Sequence, residues 1–234
     1  MFENEHVTNP FILPLFANGT PTLLFSTAPG LLGQTEYYAK LFGQTVQPRE
    51  LQIQANFRLV AYFLQPYALG GLFNISAGEM TDQPVSLALI PGGSDLQERL
   101  LNACSTDQLL QLIDDYLYRK MVGIKYQDKR ITYATEKIAA NSGKNILVSV
   151  QRELHLTERT FQRMFELHVG VSPNMFRRIT QFNKAFRQVN SGTVQTLGTM
   201  AWSNGYADQS HFIRAFKEFT HLTPSAYLNL QPDC

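Results

Sequence analysis

Asp208-Gln209-Ser210-His211-Phe212-Ile213-Arg214-Ala215-Phe216 has a counterpart 51 residues upstream, Thr157-Glu158-Arg159-Thr160-Phe161-Gln162-Arg163-Met164-Phe165. Phe161 matches Phe212, Arg163 matches Arg214 and Phe165 matches Phe216. Each copy opens on a side chain, Thr157 or Asp208, whose oxygen can accept from the free amides of a first helical turn. Each runs on to an apolar residue, a hydroxyl residue and a proline: Val171-Ser172-Pro173 and Leu222-Thr223-Pro224. Upstream of each cap a short helix and a tight turn are expected. Ile146–Leu154 leads through His155-Leu156 into Thr157, and Val194–Ser203 leads through Asn204-Gly205-Tyr206-Ala207 into Asp208. Helix, short turn, capped helix is the helix-turn-helix pattern. Two copies form a duplicated module, since a solenoid needs at least three repeats.

The second helix of each copy has two faces. Phe161, Phe165, Phe212 and Phe216 recur at helical spacing and are assigned to the core, as is Trp202. The opposite face is short, polar and basic. Arg and Gln can each make paired hydrogen bonds to a base edge in the major groove. The candidate DNA-binding residues are therefore Glu158, Arg159, Thr160, Gln162 and Arg163 on the first helix. On the second they are Gln209, Ser210, His211, Arg214 and Lys217. Glu158 would accept from a cytosine amine rather than meet a phosphate. For His211, a phosphate donor and a plain surface histidine are both open. Lys144, Arg177, Arg178, Lys184 and Arg187 lie along the segment between the copies, where phosphate positioning and simple solvation both fit.

Away from the repeat the texture changes. Residues 1–143 carry ten basic and thirteen acidic groups, a balance of −3; residues 144–234 carry ten and six, a balance of +4. An acidic front and a basic back indicate two units with different work. Leu51, Ile53, Ala55, Phe57, Leu59, Ala61 and Phe63 take every second position, the period of a strand. Thr22–Ser26 is a second strand, bounded by Asn18-Gly19 and Pro29-Gly30. Helices take over after Pro66. Ser94 caps one through Leu96, Leu100 and Leu101. Ser105-Thr106-Asp107-Gln108 is a capping box opening another, with Leu109, Leu112, Ile113, Tyr116 and Leu117 in one stripe. Ile131–Ala140 is a further helix, ended at Asn141-Ser142-Gly143 by a left-handed cap. Met121–Lys129 marks the boundary between units.

No apolar run reaches the roughly 18 residues of a membrane helix. The first residues lack the basic and apolar stretches of a secretory signal. Two cysteines, Cys104 and Cys234, exclude a disulfide framework and make a reduced, cytoplasmic setting the default. Cys104 reads as a buried, inert thiol in an apolar helix. The histidines lack metal-ligand spacing, and no phosphate-loop, GxSxG, HExxH or CxxC pattern occurs. An enzyme, a metal and a cofactor are not expected.

Met200-Ala201-Trp202-Ser203-Asn204-Gly205-Tyr206-Ala207-Asp208-Gln209-Ser210-His211-Phe212-Ile213-Arg214-Ala215-Phe216-Lys217, followed by Leu222-Thr223-Pro224-Ser225-Ala226-Tyr227, resembles the second motif of the AraC/XylS family of bacterial transcription regulators. Leu156–Phe165 with Gly170-Val171-Ser172-Pro173 resembles the first. The resemblance covers about 90 residues. It implies two helix-turn-helix units, about 146–168 and 194–219, joined by one long helix at about 173–189, each placing its second helix in the major groove on one DNA face. The sequence departs from the family wording at His221 and His155, where Gly is usual, at Gln151 for a small Ala, and at Gln181 for Arg. Val60–Leu69 and Glu79–Asp82 are similar to an uncharacterised domain that precedes the DNA-binding unit in a subset of the family.

The expected architecture is an α+β N-terminal domain of the sensor or dimerisation kind over residues 1–122. An all-α domain with two helix-turn-helix motifs and a long linker helix follows over 123–234. The leading reading is a sequence-specific transcription regulator bound to double-stranded DNA, its N-terminal domain open to control by a small-molecule effector. The reading leaves room for RNA polymerase and a second copy of the chain as partners, and expects no membrane. The competing reading is a protein-interaction module whose helix-turn-helix pair no longer binds DNA, which the modest +4 balance keeps alive.

Overall fold

The computed structural model describes residues 2–4, 10–54, 56–124, 128–143, 145–191 and 196–230. A mixed α/β unit is followed by an all-helical one. The sheet is built on β3 (Thr22–Leu32). This strand pairs antiparallel with β4 (Thr35–Phe42), with β6 (Phe57–Phe63) along its first half and with β5 (Arg49–Ile53) along its second. β1 (Phe2–Asn4) lies beyond β6, β7 (Val85–Ser86) beyond β4, and β2 (Phe11–Leu15) pairs with β5.

The alternation at 51–63 therefore spans two strands, not one. β5 ends at Ile53 and β6 begins at Phe57; Ala55 lies outside the described residues. The break matches the place where β3 loses register with β4, between Phe25 and Gly30. The paired interruptions turn a corner in the sheet without losing phase: Leu51, Ile53, Phe57 and Leu59 stay on one inner face with Leu24 and Phe42. Pro29-Gly30 does not end β3. It sits inside this irregularity, where a missing N–H removes no ladder bond.

The other face of the sheet, with Leu23, Phe25, Ala39 and Leu41, is covered by α1 (Ala68–Phe73), α2 (Gly93–Leu101) and α3 (Thr106–Val122). Leu69, Leu96, Leu109 and Ile113 supply the helical side of that core. The capping box of α3 forms. Ser105 Oγ accepts from Gln108 N at 3.2 Å, and Gln108 reaches back to the amide of Cys104 at 2.9 Å. Ser94 caps nothing; it lies within α2, whose N-cap is Gly92. Cys104 is exposed in the α2–α3 connection rather than buried in a helix, because the box holds it at the helix mouth, off the apolar stripe.

The helical unit comprises α4 (Lys129–Ala140), α5 (Ile146–Glu153), α6 (Glu158–His168), α7 (Pro173–Asn190), α8 (Leu197–Ser203), α9 (Gln209–Thr220) and α10 (Pro224–Leu230). Val194, the expected start of α8, and Lys144 lie outside the described residues. α4 does not end in a left-handed cap. Asn141 is extended (φ −137°, ψ 105°), its Oδ1 accepts from Gly143 N, and Ser142 O accepts from Arg177 Nη1 at 3.0 Å. A side-chain turn and a tertiary bond satisfy groups that a left-handed residue would otherwise serve.

His155 and His221 keep the left-handed backbone that the family wording assigns to Gly, at φ 52° and 61°. A Cβ in that region is strained. His221→Gly should therefore stabilise the chain by about 0.5–1 kcal/mol, after allowing for the extra unfolded-state freedom of Gly. Urea unfolding checks it, and an unchanged midpoint would mean that His221 bears no strain.

Candidate nucleic-acid interface

Both recognition helices begin as their sequences require. Thr157 Oγ1 accepts from Thr160 N at 3.2 Å, and Asp208 Oδ1 accepts from His211 N at 2.7 Å. Phe161, Phe165, Phe212 and Phe216 are all buried. Glu158, Arg159, Thr160, Gln162 and Arg163 of α6 are exposed, as are Gln209, Ser210, Arg214 and Lys217 of α9; His211 is half-buried. Arg159, Arg163, Arg214 and Lys217 make no hydrogen bond or ion pair. Gln162 and Glu158 touch one another at 3.5 Å, and Thr160 Oγ1 is 2.9 Å from Thr157 Oγ1. His211 Nδ1 accepts from the amide of Ala207, which leaves the neutral ring its proton on Nε2. The structure thus presents two capped helices, each with a buried Phe pair behind and unpaired Arg in front.

α7 holds the two together. Ser172 caps it, accepting from Met175 N at 3.2 Å, and Pro173 occupies the first turn, where a missing N–H is harmless. Its 18 residues span about 27 Å. One end enters the core of the first motif, with the rings of Phe176 and Phe165 at 5.8 Å. The other enters the core of the second, with Phe182 5.7 Å from Phe216 and 5.1 Å from Phe219.

Three of the basic residues along α7 are occupied as braces. Arg177 donates to Ser142 O and, at 3.1 Å, to Gln181 Oε1. Arg178 pairs with Glu218 of α9 and lies over the Phe219 ring. Lys184 donates to Ala140 O at 2.9 Å, and burial holds both its ammonium and the Arg177 guanidinium below their usual ranges. Arg187 remains exposed. The departure at Gln181 has a use: buried, it donates to Asn204 O at 2.9 Å and ties α7 to the turn of the second motif. Gln151 likewise donates to Leu156 O in the first turn. Sequence spacing gave no sign of the ties to Ser142, Glu218, Ala140 and Asn204, since those partners lie outside α7.

Trp202 is not in the core. It is 83% exposed, because α8 turns Met200 and Ala201 inward and the next residue lies about 100° round the helix. Trp202→Ala should change stability by no more than about 0.5 kcal/mol. A larger drop in melting temperature would return the residue to a packing role.

The N-terminal unit grips both motifs. Thr81 Oγ1 donates to Gly170 O at 2.8 Å, at the exit of α6. Gly170 has φ 92°, and a Cβ there would sit 2.4 Å from Ala77 O, so the approach needs Gly. On the other side Phe16 packs edge-on against Phe186 of α7 and Tyr227 of α10. Beside it lies a cavity of about 890 Å³. Its walls are Ile12, Pro14 and Leu31 from the sheet and Leu222, Tyr227 and Leu230 from the helices, with Arg49 and His221 among its polar groups. Ile12 and Pro14 alternate with the inward Leu13 and Leu15, so the cavity lies on the outer face of the β2–β5 pair.

A family model described as a helix-turn-helix domain matches residues 150–229, the stretch that holds both motifs and α7. The C-terminal unit is a double helix-turn-helix. An uncharacterised helix-turn-helix transcriptional regulator of Haemophilus influenzae (strain ATCC 51907 / DSM 11121 / KW20 / Rd) is 26% identical over 137 residues, 58% of this chain. Those residues span 46% of that relative, less than half its length. Among solved structures, ToxT of Vibrio cholerae superposes with a TM-score of 0.56 over 96% of this chain and 99% of its own, at 14% identity. ToxT bound to (E)-4-(8-methylnaphthalen-1-yl)but-3-enoic acid gives 0.56 at 13% identity over 94% and 98%. Unsaturated fatty acid-bound ToxT gives 0.50 at 12% over 94% of each chain. At such identities the likeness is one of fold, and it extends through the N-terminal unit into both motifs. No helix among the described residues is long and apolar enough to cross a membrane.

Proposed function

We infer that the chain is a transcription regulator that reads double-stranded DNA with α6 and α9. The observation that carries this is the pair of capped helices on one shared linker, each presenting unpaired arginine to solvent. On this reading Arg159, Arg163, Gln162, Gln209 and Arg214 supply base contacts. Thr160, Ser210, His211 and Lys217 meet the backbone, and Glu158 accepts from a cytosine amine. Residues 1–122 and 123–234 are its two domains. RNA polymerase and a second copy of the chain remain partners within the same proposal. The test is anisotropy binding of the full chain to a random duplex pool at two salt concentrations, with sequencing of the retained DNA. Enrichment of a bipartite motif with halves about one helical turn apart is expected. Salt-sensitive binding without enrichment would reduce the reading to non-specific attachment, and no binding at either salt would favour a protein-interaction module.

A small-molecule effector forms the second part of the proposal. The cavity beside α9 lies in the size range of ligand sites, is walled mainly by apolar side chains and has Arg49 among its polar groups. The fatty acid and butenoic acid bound to ToxT have that amphipathic, anionic chemistry. Oleate is expected to raise the melting temperature saturably, and Tyr227→Ala to weaken it. No shift at saturation would remove this arm and leave DNA reading untouched.

A further inference from the structure

Two loops of the N-terminal unit straddle the middle of α7. The first joins β2 to β3. Its Ala17 is buried in the core of the second motif. Its Gly19, at φ 73°, lies so near α7 that a Cβ there would stand 3.4 Å from Ile179 Cγ2. The second loop joins β4 to β5 and carries Val46. Half-buried, Val46 packs against the core of the first motif and against the core of the second. Among the described hydrophobic residues, only Met175 of α7 shares that double membership. Val46 belongs to neither core of its own unit.

The Val46 loop is held in place from the N-terminal side. Asp82 Oδ1 accepts from Val46 N at 2.8 Å and from Gln47 N at 3.0 Å. Asp82 N donates to Gln44 O at 2.9 Å, and Asp82 O accepts from Arg49. Asp82 does this in left-handed backbone, φ 53°, which a short polar side chain tolerates when it bonds locally. Fully buried Gln44 donates to Gly19 O at 3.2 Å and so joins the two loops. The neighbour of Asp82, Thr81, is the residue that reaches Gly170 at the exit of α6.

The motifs have a use for such a support. Their cores are separate, and Phe176 and Phe182, which root α7 in them, leave the helix about 120° apart. Long helices curve readily. One rod therefore fixes the distance between two motifs better than their mutual tilt. A side chain wedged between the cores, off the helix axis and anchored in another unit, supplies the further point of contact that tilt requires.

We propose that Val46, clamped by Asp82, is a positioning residue for DNA reading. It sets the angle between α6 and α9, so the N-terminal unit takes part in fixing the half-site spacing that the chain accepts. The inference rests on the DNA reading proposed above and extends it to a residue that touches no base.

The test has two readouts on the full chain. The first is affinity for an enriched duplex and for the same duplex with one base pair inserted between the half-sites. The wild type should lose about 100-fold on the longer duplex. Val46→Ala and Asp82→Ala should narrow that ratio about five- to tenfold. The second needs no DNA: electron–electron double resonance between nitroxides at Gln162→Cys and Lys217→Cys, with Cys104→Ser and Cys234→Ser removing the native thiols. Val46→Ala and Asp82→Ala should broaden or displace the distance distribution. Asp82→Asn keeps the accepting Oδ1 and should restore both readouts. Ile90→Val destabilises the N-terminal core without touching either motif and should leave both at their wild-type values. Wild type that enriches no duplex would remove the DNA reading, and the distances would still decide whether Val46 sets the angle. Unaltered distances in both variants would overturn the proposal. So would an unaltered spacing ratio in both, or an Ile90→Val that moves either readout equally.

Discussion

Phe182→Ala is expected to remove about 3–5 kcal/mol of stability, the range for truncating a fully buried phenylalanine. The ring is 0% exposed and lies within 6 Å, centroid to centroid, of Phe186, Phe216 and Phe219. Set against a typical domain stability of about 5–15 kcal/mol, that loss is a large fraction of the whole. It should also be local. Phe182 belongs to the core of the second motif, whereas Phe176, two turns earlier on α7, belongs to the core of the first. Hydrogen exchange should therefore quicken in α8, α9 and α10 while α4 and α6 stay protected. Uniform acceleration across the helical unit would show that α7 makes one cooperative core of both motifs. A loss below about 1.5 kcal/mol would show that the site collapses around the missing ring.

Arg163→Ala and Arg214→Ala should each weaken binding to an enriched duplex by about 1–3 kcal/mol, roughly 5- to 150-fold, if each arginine reads a base bidentately. The melting temperature should hardly change, because both side chains are exposed and neither has an ion pair to lose. The two sit on different motifs, with a linker of about 27 Å between their helices, so the free energies should add. The double variant should then approach the affinity of the chain for random DNA. Equal losses on enriched and random duplexes would assign the arginines to phosphates. A smaller slope of log affinity against log salt would accompany that result.

The repeat was readable because its signals are local. A cap, a Phe pair four residues apart and a proline after the exit turn are all fixed by one helix and its ends. The capping box at Ser105 was readable for the same reason. Pro29-Gly30 misled because a bulge tolerates the residues that usually stop a strand, and the bulge exists only through β4, β5 and β6. Alternation at 51–63 is real but continues through a corner, so it could not count strands. Trp202 shows the limit of composition: aromatic character does not say which side of a helix faces inward, and one residue of offset reverses the answer. Arg177, Arg178 and Lys184 are fully visible as basic residues. Their partners at Ser142, Glu218 and Ala140 come from the end of α4 and from α9, so only the fold reveals that they brace rather than solvate.

A single helix that roots in both cores, with Arg177, Arg178, Lys184 and Gln181 pinning its sides, works as a caliper set to one opening. A caliper imposes grammar on what it measures. Inserting one base pair between two half-sites turns one away from the other by about 35° and adds about 3.4 Å. A jointed pair of readers could follow that change, but this one would have to release one half-site to keep the other. Operators for this chain would then differ freely in the letters between the half-sites and scarcely at all in their number.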